Sequence, residues 1–515
     1  MSTDLQELQN RLWGVADELR ANSGLKASEY ASPVLGLIFL RYANDRFDSI
    51  TEQIGSGSDR YTPGPEAYIA QGAIYVPDEA RFETLVNLPE GADLGKSIND
   101  AMKAIEKNNP SLDGVLPRNY TAVSNDVLVE LLRALWALPE SLEGDGFGLI
   151  YEYFLGKFAM SEGQKGGEFF TPTSVVKLIV EILEPFEGRI LDPACGSGGM
   201  FVQSAHFVER NQSKPSEELS VYGQEKTGDT VRLAKMNLAV HGLEGDIRET
   251  NTYYENPFDS VGMFDYVMAN PPFNVKKVDK AKLEDDPRYS LGIPSTDNGN
   301  YLWIQLFYSA LNESGRAGFV MANSASDAGS SELAIRQQLI ESGSVDTIIA
   351  VGTNMFYTVA LPVTLWFLNK GSENDKEWKD KTLFIDAREI YNTIDRAHRD
   401  WTPDQIEFLA NIYQIAGGNK PVFSTPESET MFNEHFPDGG YEDVLGLCKI
   451  SSNDEIEKQG WSLNPGRYVG VEIETLDEGV FKEKMEELST EFNELSDQAE
   501  KLTTSIRSIM DQINE

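Results

Sequence analysis

A doubly wound, mainly parallel α/β sheet is the fold class this sequence predicts, with a helical domain before it and a coiled-coil helix after it. Three observations predict it. Short apolar strands alternate with helical patterns from about residue 165 to 390, the texture of strand–helix–strand units in a parallel sheet. A glycine-rich turn, Asp192-Pro193-Ala194-Cys195-Gly196-Ser197-Gly198-Gly199, follows the apolar pair Ile190-Leu191. A heptad pattern of apolar residues runs from Phe481 to Ile513. The expected divisions are a helical domain over 1–160, a sheet domain over 161–415, a connecting region over 416–470 and an assembly helix over 471–515.

The helical domain opens with Leu5, Leu8, Leu12, Val15 and Leu19, at the three- and four-residue steps of an amphipathic helix. Val34–Phe47 and Val127–Leu138 are further helices, and Gly55–Gly72, rich in Gly, Ser and Pro, reads as loop. In the sheet domain the expected strands are Arg189–Asp192, Ser220–Gln224, Asp265–Ala269, Gly318–Met321, Thr347–Val351, Thr364–Leu368 and Leu383–Ile385. Thr173–Leu183 and Asp229–His241 are helices between them, and Thr171 or Thr173 is expected to cap the first, with Pro172 in its opening turn. At the C-terminus Phe481, Met485, Leu488, Phe492, Leu495, Ala499, Leu502, Ile506, Ile509 and Ile513 alternate steps of four and three. A seam sustained over more than four heptads needs a facing helix.

Two cysteines, Cys195 and Cys448, make neither a disulfide framework nor a zinc site by themselves. His206, His241, His398 and His435 show no ligand spacing, so no metal is expected. No apolar run approaches a membrane span, and the acidic start Met1-Ser2-Thr3-Asp4 carries no signal peptide. A cytoplasmic protein is the expectation.

Ligands of doubly wound sheets sit at the carboxyl ends of strands, and the two most informative segments fall there. Gly196, Gly198 and Gly199 let the backbone turn tightly and approach a ligand. No Lys-Ser/Thr stands at the P-loop spacing, which disfavours a triphosphate. Glu225 ends the next strand, where a carboxylate can accept both hydroxyls of an adenosine ribose. Asp192 is placed to orient a cofactor ammonium through water. The aromatic pair in Gly167-Glu168-Phe169-Phe170-Thr171-Pro172-Thr173 suits the methionine end of such a cofactor. Cys195 reads as a small packing residue.

The second segment, Asn270-Pro271-Pro272-Phe273, follows the buried-strand pattern Phe264–Ala269. An exocyclic aromatic amine is a poor nucleophile because its lone pair is delocalised. The Asn270 side-chain oxygen and the Pro271 carbonyl can accept its two N–H groups and free that pair. The prolines stiffen the loop, and Phe273 offers a face for the base, a contact of about 1–3 kcal/mol. Together the segments predict methyl transfer from S-adenosylmethionine to the N6 amine of an adenine flipped out of duplex DNA. Methylation at cytosine carbon 5 is excluded, since neither cysteine follows a proline. Competing readings are methylation of a protein glutamine amide or an RNA guanine amine, and a non-enzymatic cofactor sensor. The intact Asn270 and Phe273 disfavour the last. The net charge of −39 is unexpected in a DNA enzyme, because phosphate contacts favour Lys and Arg. It fits an acidic solvated surface, a partner that carries most of the DNA grip, or both.

Phe169–Pro172, Asp192–Gly199, Glu225, Asn251-Thr252 and Asn270–Phe273, in this order, resemble the modification (methyltransferase) subunit of type I restriction–modification systems. Asn300–Leu311, Arg316–Ala322, Phe356–Lys370, Ser462–Val469 and Phe39-Leu40-Arg41-Tyr42 are similar to that family too, so the resemblance covers nearly the whole chain. It implies the S-adenosylmethionine-dependent methyltransferase fold and adenine-specific methylation. It implies assembly of two such subunits with one specificity subunit that reads double-stranded DNA, and optionally with a motor–nuclease subunit. By the same resemblance Glu168, Phe169, Phe170, Thr171, Pro172, Thr173, Ser197, Gly198, Gly199 and Glu225 hold the cofactor. Asn251 lies near its adenine, and Asn270, Pro271, Pro272 and Phe273 form the catalytic motif.

Overall fold

The computed structural model describes residues 9, 12–14, 17, 27–55, 63–138, 146–162, 171–356, 362–374, 378–396, 398–470, 489, 493 and 496. The chain divides into two units, Met1–Val469 and Gly470–Glu515.

The first unit is built on nine described strands: β1 Gly188–Asp192, β2 Leu219–Glu225, β3 Gly245–Glu249, β4 Phe264–Ala269, β5 Leu311–Ala322, β6 Val345–Val351, β7 Val363–Asn369, β8 Lys381–Ala387 and β9 Cys448–Ser452. Their order across the sheet is β9-β8-β6-β7-β5-β4-β1-β2-β3. β7 runs antiparallel to β5 and β6, β9 runs antiparallel to β8, and the other pairs are parallel. From β1 the chain steps outward to β2 and β3, then returns to pair β4 on the other side of β1. That reversal opens a crevice at the carboxyl ends of β1 and β4. The glycine loop leaves β1 there, and Asn270 directly follows β4.

Successive strand residues point to opposite faces, and the two cores divide accordingly. Ile190, Met268, Val320 and Ile349 pack with helices Thr173–Leu183, Gly199–Arg210, Gly228–Val240 and Pro403–Ala416. Their neighbours Leu191, Val267, Phe319 and Ile348 pack with helices Asn300–Ala310 and Ser330–Glu341. Every residue of β6 is buried, as a strand covered on both faces requires. A third core surrounds helix Ala27–Gly55 and takes in residues of Leu94–Asn108, Asn125–Trp136 and Gly146–Glu162. Met236 and Val240 of the sheet domain complete it.

The seven expected strands form, as do the two expected helices, Gly228–Val240 between β2 and β3 and Thr173–Leu183, which precedes β1 instead of lying between strands. β5 is longer than expected because its first half, Asn312–Arg316, is polar. Pro65–Ile69 is a short helix within the expected loop Gly55–Gly72, with Pro65 at its first turn. The expected cap of helix Thr173–Leu183 is corrected: Pro172 stands at the N-cap and no side chain caps it. Of the expected opening helix, Gln9, Leu12, Trp13, Gly14 and Asp17 are described as helical, and Leu12 is buried. In the second unit Ser489, Asn493 and Ser496 are helical and exposed. The apolar seam from Phe481 to Ile513 lies outside the described residues. No described helix is long and apolar enough to cross a membrane.

Candidate active site at the sheet reversal

β1 ends on buried Asp192, whose Oδ1 accepts the Ala194 N–H at 3.0 Å and starts the turn. Gly196 (φ +51°) and Gly198 (φ +81°) then take left-handed conformations that favour glycine. The Cys195 N–H bonds Gln224 O at 3.0 Å, which ties the turn to the end of β2. The Ser197 carbonyl accepts Asn237 Nδ2 at 2.9 Å. A Cβ at Gly196 or Gly199 would meet nothing within 4 Å; the loop faces open space, as a cradle for a ligand must.

Glu225 closes this side. Its Oε2 accepts the Gly196 N–H at 3.2 Å, and its Oε1 accepts those of Lys226 at 2.7 Å and Thr227 at 3.2 Å. Burial holds the Asp192 carboxyl well above the usual range; the Ala194 N–H opposes the shift and the Glu225 charge adds to it. Burial, with the charges of Asp192 and Glu225, also pushes the Cys195 thiol up. Cys195 is buried in the core with Ile190, Met268 and Val320, the surroundings of a packing residue. Asn251 lies just beyond β3, its N–H bonded to Glu255 Oε1 at 3.0 Å. The flanking Thr250 N–H bonds Glu225 O at 2.9 Å, and Thr252 Oγ1 bonds Pro193 O at 2.7 Å. The buried Arg288 guanidinium steadies this wall through the carbonyls of Thr252 and Glu255, each at 2.9 Å.

On the β4 side, Asn270 Nδ2 donates to Thr171 Oγ1 at 2.8 Å. That places Thr171 against the loop instead of in a helix cap. Asn270 Oδ1 is buried and has no hydrogen-bond partner among the described residues. Such an acceptor costs about 1–3 kcal/mol until something donates to it. Pro271 is buried, and half-buried Phe273 packs against both sheet cores. Thr171, Thr173, Ser197, Gly199 and Asn237 share the lining of a cavity of about 30 Å³. It joins the start of helix Thr173–Leu183 to the glycine loop. Glu168, Phe169 and Phe170 lie outside the described residues. A wider opening of about 470 Å³ lies at the amino ends of β1 and β4 beside Glu187, Glu217, Asp265 and Arg316. It holds none of the motif residues.

Residues 142–477 match the N-6 DNA Methylase family, and residues 8–135 match the HsdM N-terminal domain. The chain is 39% identical to the type I restriction enzyme MjaIX methylase subunit of Methanocaldococcus jannaschii, over 98% of this chain and 91% of that protein. It is 36% identical to the HindI methylase subunit of Haemophilus influenzae, over 84% and 98%. This chain belongs to the type I restriction enzyme methylase subunits. It is accordingly an adenine-specific DNA methyltransferase. The methyltransferase subunit of a type I restriction–modification system from Streptococcus thermophilus shares the fold, with a TM-score of 0.73 at 23% identity, over 90% of this chain and 99% of that one.

Two features of this methylase subunit were not anticipated from sequence. Asn274 (φ +55°) follows the motif, and its N–H bonds Asn300 Oδ1 at 2.8 Å. Its own Oδ1 accepts Asn298 Nδ2 at 2.9 Å and Asn300 Nδ2 at 3.1 Å. This asparagine knot pins the motif loop to the start of helix Asn300–Ala310. Asparagine tolerates left-handed backbone and Asn-Gly-Asn marks a turn, so Asn298-Gly299-Asn300 carried a signal. The other feature is that helix packing brings ligand-capable atoms of Glu152, His206 and His241 within 4.8 Å of one another. Gln203 Nε2 donates to Glu152 Oε1 at 3.0 Å in the same cluster. The histidines that lacked ligand spacing in sequence are thus neighbours in space.

Proposed function

We propose that this subunit transfers the methyl group of S-adenosylmethionine to the N6 amine of an adenine flipped out of duplex DNA. The observation that carries the reading is the buried, unpartnered Asn270 Oδ1 at the end of β4. An amine N–H is the donor it lacks, and the Pro271 carbonyl takes the second hydrogen. Both contacts favour a pyramidal nitrogen whose lone pair can attack. Thr171 fixes the Asn270 amide through Nδ2, so the acceptor is preset and alignment contributes much of the acceleration. Phe273 stacks on the base.

S-adenosylmethionine supplies an electrophilic methyl group on a sulfonium, and the residues present fit it. Gly196, Ser197, Gly198 and Gly199 border its space. Glu225 ends β2 beside the glycine loop, where its carboxylate can meet the ribose hydroxyls. Asp192 addresses the ammonium, Asn251 the adenine side, and Glu168 to Thr173 the methionine end. No general base is required, since the proton can leave after transfer.

Sequence specificity is assigned to a separate specificity subunit, one per two methylase subunits, with a motor–nuclease subunit as a possible further partner. The net charge of −39 supports this division, as does the heptad seam that needs a facing helix. The test is mass spectrometry of DNA from cells carrying the wild-type or the Asn270→Ala subunit. N6-methyladenine at the system's sites is expected only with the wild type. Equal methylation in both would remove the proposal.

A further inference from the structure

The chain has 44 Lys and Arg against 83 Asp and Glu, yet the segment Lys276-Lys277-Val278-Asp279-Lys280-Ala281-Lys282 holds four lysines and one acid. This inversion of charge begins three residues beyond Phe273. Lys276, Lys277 and Lys282 are exposed. Lys282 Nζ is 3.3 Å from Asp279 and 5.4 Å from the Tyr254 ring centre. Lys276 and Lys277 have no side-chain ion pair among the described residues.

The segment is also held in place. The Lys277 N–H bonds Asp297 Oδ1 at 2.6 Å, and the Asp279 N–H bonds Tyr254 Oη at 2.8 Å. The Gly299 N–H bonds Val275 O at 2.9 Å, and Lys280 Nζ is bound by the Thr296 carbonyl. The asparagine knot at Asn274 fixes its entry. Lysines kept only for solubility need no such scaffold. Displayed from an ordered loop, they lose less freedom on binding a polyanion than lysines on a free tail.

We propose that Lys276 and Lys277 contact the DNA phosphates flanking the target adenine. This rests on the reading of the site as an adenine methyltransferase. A nucleotide swung out of the stack into the crevice stays joined to its own two phosphates, so the backbone must pass the rim of the site. The lysine segment supplies cations at that rim in a chain whose net charge is −39. It makes phosphate contacts that position the strand and carry no sequence information, which leaves base reading to another subunit.

The test is the salt dependence of duplex binding by the assembled complex with its specificity subunit. Lys276→Gln/Lys277→Gln is measured beside a charge-matched control, Lys96→Gln/Lys103→Gln, on helix Leu94–Asn108. Each phosphate contact contributes about 0.9 to the slope of log affinity against log salt. The loop variant should lower the slope by about 2 for each engaged subunit and raise KM for DNA, with cofactor affinity unchanged; the control should do neither. An unchanged slope, or an equal loss in the control, would overturn the proposal. Methylation of the duplex by the wild-type complex in the same assay tests the underlying function separately.

Discussion

The two loops of the crevice differ in how completely they satisfy themselves. On the β1–β2 side Asp192, Glu225 and the Ser197 carbonyl all take N–H groups from their own chain. On the β4 side Asn270 is anchored through Nδ2, while its buried Oδ1 has no partner among the described residues. The first loop therefore folds into its shape as part of the sheet, and in the proposed function its residues serve structure and cofactor together. The second carries an unmet acceptor, which the proposed function pairs with the target amine. Changes to the first should disturb fold and binding at once. Changes to Asn270 should disturb turnover alone.

The largest effect expected from breaking this contrast is that of Asn270→Ala on rate. Removing one preset polar group that acts mainly in the transition state lowers kcat by about 10²–10³. Thermal unfolding should hardly move, because the variant loses the Thr171 contact but also an orphaned acceptor. A substantial fall in Tm beside the rate loss would mean that Asn270 is structural. Gly198→Val comes next. A branched side chain at φ +81° costs about 1–3 kcal/mol of backbone strain, and its Cβ would lie against Phe201 and Ala234, so the effect on cofactor passes through the shape of the loop. Denaturant unfolding and cofactor titration should both show the loss; normal binding in a destabilised protein would dissociate loop shape from function.

The smallest effect concerns protons. Without cofactor, burial keeps the Asp192 carboxyl protonated above the ordinary aspartate range. The folded state then binds more protons than the unfolded one, so stability falls as pH rises from that ordinary range through the raised value. A nearby ammonium favours the carboxylate. Cofactor affinity should therefore rise with pH across the same window, with proton release on binding. Calorimetry in buffers of different ionisation heat measures this; no proton release in Asp192-intact protein would place the ammonium elsewhere.

The same contrast governs what could be read from sequence. β1, β2 and β4 were legible because buried runs end at turn residues, and Asn270–Phe273 because its chemistry is local. β3 was missed because an edge strand reading Gly-Asp-Ile-Arg-Glu buries only Ile247 and shows no alternation. β9, also at an edge, has a mostly polar sequence, Cys-Lys-Ile-Ser-Ser. Thr171 looked like a helix cap because capping is a local rule, whereas its partner Asn270 lies 99 residues away. The asparagine knot closes over 24 and 26 residues, and the Glu152–His206–His241 cluster exists only once three helices pack. The turn that follows β1 and the acidic end of β2 were legible. The bonds that preset the target side were not.

The central claim is the division of labour between the loops. It is tested most directly by calorimetric titration of S-adenosylmethionine into the assembled complex, comparing wild type, Asn270→Ala and Glu225→Ala. The account predicts wild-type affinity for Asn270→Ala and a loss of about 1–3 kcal/mol for Glu225→Ala, the scale of a charge-assisted hydrogen bond. Equal losses in the two variants, or none in Glu225→Ala, would contradict it.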